Sequence, residues 1–355
     1  MHDAIVIGAG QSGLAAAHAL CAHGLTPVVL EAGTETAGSW PHYYDSLTSF
    51  SPARFSEMPG MPFAGDPDRY PHRDEVVDYL RRYATELDAE IRTETAVSSV
   101  ERADGEGFVV RTADGDALTA AGLVAASGSF GNPHVPVLPG QDAFRGQQLH
   151  VADYRDPKGY AGQRVIVVGA GNSAIQVGYE LAQVASVSLA TRLPIVFFPQ
   201  CLHGRDVHYW LTTTGFDQLP PQWLTQIIAH GFVMDTGDYE NALKSGQMDR
   251  RPMFMGFDSD TIIWSDGGRE TVDTIIYATG YRPNLAYLDP LGALESGAPK
   301  HSAGISTTHL GLVYVGLEFQ RSFSSNTLRG VHRDAEYVLA PLAAYVRDAP
   351  TAVGL

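Results

Sequence analysis

Apolar and polar positions at the start of the chain follow the order strand, turn, helix, strand. The apolar run from Ala4 to Ile7 predicts a strand, and the apolar-rich stretch from about Ser12 to His23 predicts a helix. A glycine-rich turn separates the two, and a further apolar run from Pro27 to Leu30 predicts a second strand. This order is typical of a β–α–β unit, in which the helix crosses over two parallel strands.

The same order returns in the middle of the chain. A strand is predicted at Arg164 to Val168, a helix to about Gln183, and a strand at Val187 to Ala190. The two openings, HDAIVIGAG and QRVIVVGAG, are near copies of each other. We therefore predict an α/β fold with two Rossmann-like dinucleotide-binding domains.

The other segments have different patterns. Residues 39–71 and 195–260 are rich in aromatic residues and proline and lack the periodicity of a core element, so we expect an ordered loop in the first and a short helical insertion in the second. The remaining predicted elements are a helix at Asp74 to Leu87, a β meander around Phe108 to Leu118, a strand at Leu312 to Val315 and a long helix from about Ser325 to Arg347.

The repeat suggests that the second unit is inserted into the first domain. We assign residues 1–160 and 275–355 to the first domain, and residues 161–274 to the second, with the aromatic insertion at about 195–260. Because the two aromatic segments flank the two units and lack the periodicity of a core element, we expect Trp40 to Phe63 and Phe197 to Trp223 to line one cleft beside the bound cofactor.

Charge and cysteine content narrow the class of protein. A formal net charge of -16 argues against nucleic acid or an anionic membrane as a partner, since both need a basic surface. The start of the chain has no signal-peptide pattern, and no apolar run is long enough to span a membrane. Cys21 and Cys201 lie 180 positions apart and offer no disulfide framework. We expect a cytoplasmic enzyme that acts on a small molecule, and a homodimer is possible.

The first glycine turn carries a dinucleotide fingerprint, Gly8-x-Gly10-x-x-Gly13. The glycines let the turn close tightly, so that backbone N–H groups at the helix N-terminus can bind a pyrophosphate. Glu31 ends the second strand, where a carboxylate can accept hydrogen bonds from a ribose diol. These features favour FAD in the first unit.

The second fingerprint, Gly169-x-Gly171-x-x-Ala174, differs at the end of its second strand. Glu31 lies 23 positions after Gly8, and the residue 23 positions after Gly169 is Arg192. A guanidinium can pair with a 2′-phosphate that a carboxylate would repel, so the second unit favours NADPH. The alternative is that Arg192 is a solvated surface arginine.

A specific family resemblance lies between the two units. Phe144-x-Gly146-x-x-x-His150-x-x-x-Tyr154 resembles the FxGxxxHxxxY fingerprint of class B flavoprotein monooxygenases, in the form found in flavin-containing monooxygenases and N-hydroxylases. Three further segments are similar to elements of that family, namely Gly38-Ser39-Trp40, Ala126-Ser127-Gly128 and Ala278-Thr279-Gly280-Tyr281. Within the family the chain looks most like the short bacterial members, such as the flavin monooxygenases of arsenic-resistance operons.

The resemblance implies a reaction as well as a fold. NADPH would reduce FAD, O2 would add at flavin C4a to form a (hydro)peroxyflavin, and one oxygen atom would pass to a small organic or heteroatom substrate through N, S, As or a carbonyl. Two other classes stay open: an NADPH-dependent flavin reductase or oxidase that produces H2O2, and a nucleotide-sensing regulatory flavoprotein.

The fingerprints and the resemblance together assign the cofactor-binding residues. The C-terminal helix is expected to begin near Asn326 with its positive end toward the flavin pyrimidine ring. The assigned residues are Gly8, Gly10, Gln11, Ser12, Gly13, Glu31, Ser39, Trp40, Thr48, Val97, Ser127, Gly128, Gly169, Gly171, Asn172, Ser173, Ala174, Thr191, Arg192, Ala278, Thr279, Gly280, Asn326 and Thr327.

Catalytic side chains are less well defined by the sequence. Phe50 falls where the family's active-site asparagine stands, so N-oxygenation of simple amines does not carry over directly, and Ser51 or Thr48 is a candidate substitute. His150 is either a catalytic base or a hinge histidine that positions the nicotinamide half. We expect no metal site, because the spacing of the histidines and Asp206 in the insertion matches no ligand pattern.

Overall fold

The computed structural model describes residues 1–227 and 232–348. Residues 228–231 of the predicted insertion and residues 349–355 of the predicted first domain lie outside the described residues. Within the described ranges, every helix is too short or too polar to cross a bilayer.

The described residues form both helices and strands, and strand–helix–strand order occurs at residues 2–30 and 164–191. The helices are α1 (Gln11–Ala22), α2 (Arg73–Glu86), α3 (Asn172–Leu181), α4 (Val207–Thr213), α5 (Pro221–Ile227), α6 (Asp238–Ser245) and α7 (Leu328–Asp348). The strands are β1 (His2–Ile7), β2 (Pro27–Leu30), β3 (Glu90–Arg92), β4 (Val97–Arg102), β5 (Phe108–Thr112), β6 (Ala117–Ala125), β7 (Gln147–His150), β8 (Arg164–Val168), β9 (Ser186–Thr191), β10 (Phe197–Pro199), β11 (Cys201–Leu202), β12 (Arg205–Asp206), β13 (Val233–Asp235), β14 (Asp249–Pro252), β15 (Gly256–Asp258), β16 (Thr261–Ile263), β17 (Arg269–Thr271), β18 (Thr274–Tyr277), β19 (Leu294–Glu295), β20 (Ala298–Pro299), β21 (His301–Ser302), β22 (Ile305–Ser306) and β23 (Leu312–Tyr314).

The first sheet has a parallel centre in the order β23-β6-β1-β2-β3. All four residues of β2 and the last four of β1 are buried, as expected for parallel strands covered on both faces. Apolar residues of α1, α2 and α7 pack on one face. The opposite face packs against β4, β5 and the segment around Leu288. The predicted first unit, the meander and the late return of the chain to this sheet are confirmed.

The second sheet is parallel throughout, in the order β14-β9-β8-β18-β7. Its core is built from β8, β9 and the buried face of α3, together with Tyr154 and Tyr160. The fold is therefore the expected pair of Rossmann-like units. Strands β7 (residues 147–150) and β18 (residues 274–277) both belong to the second sheet, although the sequence analysis placed β7 in the first domain. The boundaries between the two domains at residues 160 and 275 therefore stay a prediction.

The segment at residues 195–260 differs from the expected short helical insertion. It contains the parallel pair β10 and β13, the hairpin of β11 and β12, and the helices α4, α5 and α6. Strand β14 then joins the second sheet at its edge. The sequence of β14, DRRP, has no apolar run. Edge strands often contain charged residues and proline instead of buried apolar residues, so the sequence pattern did not predict this strand.

Candidate active site

The first glycine turn can be built only with glycine at two positions. Gly8 has a φ of +103°, and a Cβ there would lie 2.7 Å from the carbonyl oxygen of Ala126. A Cβ on Gly13 would lie 1.7 Å from the carbonyl oxygen of Gly8. The turn between β1 and α1 is therefore pressed against both its own helix and the segment that follows β6.

Helix α1 begins without a capping side chain. Gly10 is the N-cap residue, and no acidic residue lies in the first turn. The N–H groups of the first turn, which Gln11, Ser12 and Gly13 contribute, have no side-chain cap in the described residues. An uncapped helix N-terminus beside a glycine turn fits the pyrophosphate of a dinucleotide.

Gln11 connects three predicted cofactor residues that are far apart in sequence. The Trp40 indole N–H donates to Gln11 Oε1 at 2.9 Å, and Gln11 Nε2 donates to the carbonyl oxygen of Asn326 at 2.7 Å. Asn326 and Thr327 immediately precede α7. The loop after β2, the start of α1 and the start of α7 therefore meet at one point.

Glu31 lies at the end of β2, beside this turn. Its two carboxylate oxygens accept from the backbone N–H groups of Ala9 at 2.7 Å and Gly33 at 2.8 Å. The carboxylate is held in place and keeps lone pairs for a further donor. Its position fits the role expected for a residue that binds a ribose diol.

Other residues assigned to the first unit are less closely grouped. The Ser127 hydroxyl donates to the carbonyl oxygen of Asn284 at 2.6 Å, next to Gly128. Ser39 precedes the short 3-10 helix that begins at Trp40. Val97 begins β4 and packs against the apolar cluster on the far face of the first sheet.

The second glycine turn repeats the geometry of the first. Gly169 has a φ of +145°, and a Cβ there would lie 2.3 Å from the carbonyl oxygen of Ala278. Gly171 is the N-cap residue of α3, which again has no capping side chain and no acid in its first turn. The side chain of Asn172 accepts from the backbone N–H of Met234 at 3.1 Å and so ties the insertion to this helix.

The remaining residues assigned to the second unit lie around this turn. Ser173 follows Asn172 in α3, and Ala174 is buried under the turn. Thr279 donates to the carbonyl oxygen of His134, and Gly280 accepts from His150.

Two guanidinium groups lie near the end of β9. Thr191 is buried at the last position of this strand and is followed by the exposed Arg192, which has no polar partner among the described residues. Arg250 Nε donates to Thr191 Oγ1 at 2.7 Å from the neighbouring strand β14. Sequence reasoning missed Arg250, because its strand has no apolar pattern to reveal the pairing with β9.

His150 is buried with both ring nitrogens occupied. Its exposed fraction is 4%, Nε2 lies 3.1 Å from the carbonyl oxygen of Gly280, and Nδ1 accepts from the Ala152 N–H at 3.1 Å. Burial lowers the pKa of His150 below that of an ordinary histidine. These contacts favour a positioning role over that of a catalytic base.

The two aromatic segments contact each other, and the cleft that they are expected to line stays a prediction. The ring of Phe50 stacks on that of His208, with centroids 5.7 Å apart, and Gln200 Nε2 donates to the carbonyl oxygen of Phe50 at 3.0 Å. Ser51 is buried next to Phe50, with its hydroxyl 2.8 Å from that of Ser56.

Thr48 instead lines a cavity between the first aromatic segment and α3. The cavity has a volume of about 390 Å³ and is also lined by Tyr44, Gln176 and Tyr239. The described residues contain no group of three or more His, Cys, Asp or Glu placed to hold a metal ion.

The paired turns define an α/β oxidoreductase fold with two dinucleotide-binding units. The family model for pyridine nucleotide-disulphide oxidoreductases matches residues 5–214, more than half of the sequence. The chain therefore belongs to the pyridine nucleotide-disulphide oxidoreductase family.

Relatives narrow the class further. The flavin-containing monooxygenase from Stenotrophomonas maltophilia superposes with a TM-score of 0.85 and 30% identity over 97% of this chain and 99% of that one. The indole-3-pyruvate monooxygenase YUCCA1 of Oryza sativa subsp. japonica is 32% identical over 79% of this chain and 77% of that protein. The oxidoreductase CzcO of Bacillus subtilis (strain 168) is 31% identical over 96% of this chain and 98% of that protein. The protein is a flavin-dependent monooxygenase, and thus an oxidoreductase.

Proposed function

We propose that the protein is an FAD-containing, NADPH-dependent monooxygenase that transfers one oxygen atom of O2 to a small organic or heteroatom substrate. The observation that carries this proposal is the meeting of Trp40, Gln11 and Asn326 at the uncapped start of α1, next to the fixed carboxylate of Glu31. This arrangement supports binding of a flavin dinucleotide, because it combines a pyrophosphate site with a ribose acceptor.

The residues of each unit would bind and orient a nucleotide, and bound FAD would supply the redox and oxygen chemistry. The first unit would hold the pyrophosphate at the N–H groups of α1 and the ribose at Glu31. The start of α7 would direct its positive end to the flavin, which favours negative charge on the reduced ring. The aromatic segments around Phe50 would exclude water from the reacting centre.

The charge at the end of β9 supports NADPH as the reductant. Arg192 is exposed and Arg250 reaches the same strand end, so two guanidinium groups are available to a 2′-phosphate. Charge-assisted hydrogen bonds of this kind contribute on the order of 1.5–3 kcal/mol each. NADH has no such phosphate and would gain little from either residue.

The proposal is tested by reducing the purified protein with NADPH without oxygen and then adding O2. We expect rapid reduction, followed by a transient band at shorter wavelength than that of oxidised flavin and by transfer of oxygen from ¹⁸O2 to benzyl methyl sulfide. Stoichiometric H2O2 with no ¹⁸O in any product would replace the monooxygenase with an oxidase. Failure of NADPH to reduce the flavin would favour a regulatory flavoprotein.

A further inference from the structure

His208 belongs to a buried hydrogen-bonded array that the proposed function does not use. It lies in the first turn of α4, and Asp206 Oδ1 accepts both its backbone N–H at 2.8 Å and its Nδ1 at 2.7 Å. The other carboxylate oxygen accepts from the Tyr70 hydroxyl at 2.5 Å and from Gln200 Nε2 at 2.7 Å. Burial alone would raise the pKa of Asp206, but these hydrogen bonds outweigh it and lower that pKa. Asp206 is therefore an ionised group that fixes the ring of His208.

The second ring nitrogen of His208 is free. Because Nδ1 donates to Asp206, Nε2 carries a lone pair, and within residues 1–227 and 232–348 this nitrogen is buried without a hydrogen-bond partner. The side chain is 0% exposed. Burial lowers the pKa of His208, and the positive charge of Arg329 lowers it further. The hydrogen bond that Nδ1 donates to Asp206 and the negative charge of Asp217 raise the pKa, but they do not outweigh burial. The ring is thus neutral near pH 7, with an unused acceptor.

His150, the other histidine that is almost fully buried, has no free ring nitrogen. Both histidines are buried and have lowered pKa values, but both nitrogens of His150 are bonded to the backbone. A buried acceptor without a partner costs stability, and a bound molecule that donates a hydrogen bond to Nε2 would offset that cost. An ionised carboxylate that orients a histidine with a free Nε2 is the arrangement that a proton acceptor needs.

Two phenylalanine rings pack against the ring of His208. The rings of Phe50 and Phe55 lie 5.7 Å and 6.2 Å from that of His208, at interplanar angles close to 30°. Phe50 is itself 40% exposed, so it forms the outer layer. It also occupies the position of the polar asparagine that the family resemblance led us to expect. A polar side chain, that of His208, therefore lies behind an apolar ring at this point.

We propose that His208 is a proton-accepting residue of the substrate cleft, covered by Phe50 until a substrate that carries an ionisable proton on its nucleophilic atom displaces that ring. The proposal rests on the monooxygenase function proposed above. Asp206 is its positioning residue, because it holds the tautomer that leaves the Nε2 lone pair free.

The proton has a defined path in such a reaction. For an alkylammonium substrate, an N–H bond breaks, its electron pair stays on nitrogen, and the proton binds Nε2 while Asp206 stabilises the imidazolium. The neutral nitrogen then accepts one oxygen atom, and the proton from His208 leaves in the water formed from the other. The sum is RNH3⁺ + NADPH + O2 → RNHOH + NADP⁺ + H2O. A sulfide has no proton to lose before oxygen transfer and does not need this residue.

The first test compares benzylamine with benzyl methyl sulfide, two probes that share one scaffold. In His208→Gln we expect the hydroxylamine product to fall about a hundredfold relative to the sulfoxide, the order of magnitude of general base catalysis. The variant should react only with free amine, so below the pKa of the amine its rate should rise about tenfold per pH unit, while the wild-type rate changes little. His203→Gln, the same change at an exposed histidine of the neighbouring turn, is the matched control. Equal losses of both products, or an unchanged pH profile, would overturn the proposal.

The second test needs no substrate and separates this proposal from the proposed function. Diethyl pyrocarbonate acylates a neutral imidazole that has an accessible nitrogen, and mass spectrometry locates the modified residue. We expect His208 to be protected in the wild type and modified at least tenfold faster in Phe50→Ala, with His150 protected in both. An unreactive His208 in a folded Phe50→Ala variant would refute the covered acceptor. If the wild type oxygenates neither probe, the proposed function fails for these probes, and the labelling result still decides the role of Phe50.

Discussion

The two glycine turns are near copies in sequence and in backbone, yet they end in opposite charges. In the first unit Glu31 closes the second strand and is bonded to the backbone of the turn. In the second unit Arg192 stands at the same spacing, exposed and without a polar partner in the described part of the chain. One backbone design can thus serve two nucleotides, because the charge at the strand end decides between a ribose diol and a 2′-phosphate.

The turns also differ in how tightly they close. Gly13 has no room for a Cβ, whereas Ala174 occupies the corresponding position under the second turn. The first turn is further fixed by Gln11, which holds Trp40 and the start of α7. The first turn is therefore more closely packed and more strongly tied to distant segments than the second.

The largest effect is expected from Gly13→Ala. A Cβ 1.7 Å from a backbone oxygen cannot be accommodated without opening the turn, so the variant should lose bound FAD or fail to fold. Ala174→Gly at the matching position should retain FAD and lose only about 1 kcal/mol through helix propensity. Flavin content and thermal unfolding of both variants measure this. Full flavin occupancy in Gly13→Ala would show that the turn is not the binding element.

A smaller effect is expected from Gln11→Ala, which removes two hydrogen bonds that organise the first site. Each such bond contributes about 1 kcal/mol, so FAD binding to the apoprotein should weaken by about tenfold to thirtyfold. Fluorescence titration with FAD measures the change. The control is Gln183→Ala, since the side chain of Gln183 donates to the carbonyl oxygen of Tyr179 in α3, away from the first turn. An unaltered FAD affinity would mean that Trp40 and Asn326 are held without Gln11.

The smallest effect is expected from Arg250→Ala. Its guanidinium already donates to Thr191, so it has fewer free donors for a phosphate than Arg192 has. NADPH binding should weaken about threefold to tenfold, and NADH binding should not change. The control is Arg269→Ala, which removes an exposed arginine that pairs with Asp258 and should change the binding of neither NADPH nor NADH. Equal losses for both nucleotides would point to a structural role for Arg250.

The elements that the sequence predicts correctly are those marked by patterns of neighbouring residues. The glycine turns, their flanking strands and the spacing from Gly8 to Glu31 are local patterns, and the structure reproduces the elements that they predict. Gln11, Trp40 and Asn326 were assigned through family motifs, and no local pattern could have shown that they bond to one another. Arg250 lies on an edge strand with no apolar periodicity, so only the parallel pairing of β14 with β9 reveals it.

The environment of His208 could not be predicted from the sequence either. Sequence spacing argued only that the histidines of the insertion and Asp206 do not form a metal site. The free Nε2 depends on a ring held by Asp206 and covered by Phe50, which lies more than a hundred residues earlier in the chain. The features of the site that the sequence could not predict therefore depend on contacts between segments that are distant in sequence.

The central claim is that the charge of the residue after the second strand of each unit determines which nucleotide that unit binds. The variant Arg192→Ala tests this claim most directly. Anaerobic reduction of the bound flavin should be measured against NADPH and NADH concentration in the wild type and the variant. Loss of one charge-assisted interaction should raise the apparent constant for NADPH about tenfold to a hundredfold and leave that for NADH nearly unchanged. An NADPH to NADH ratio equal to that of the wild type would contradict the claim.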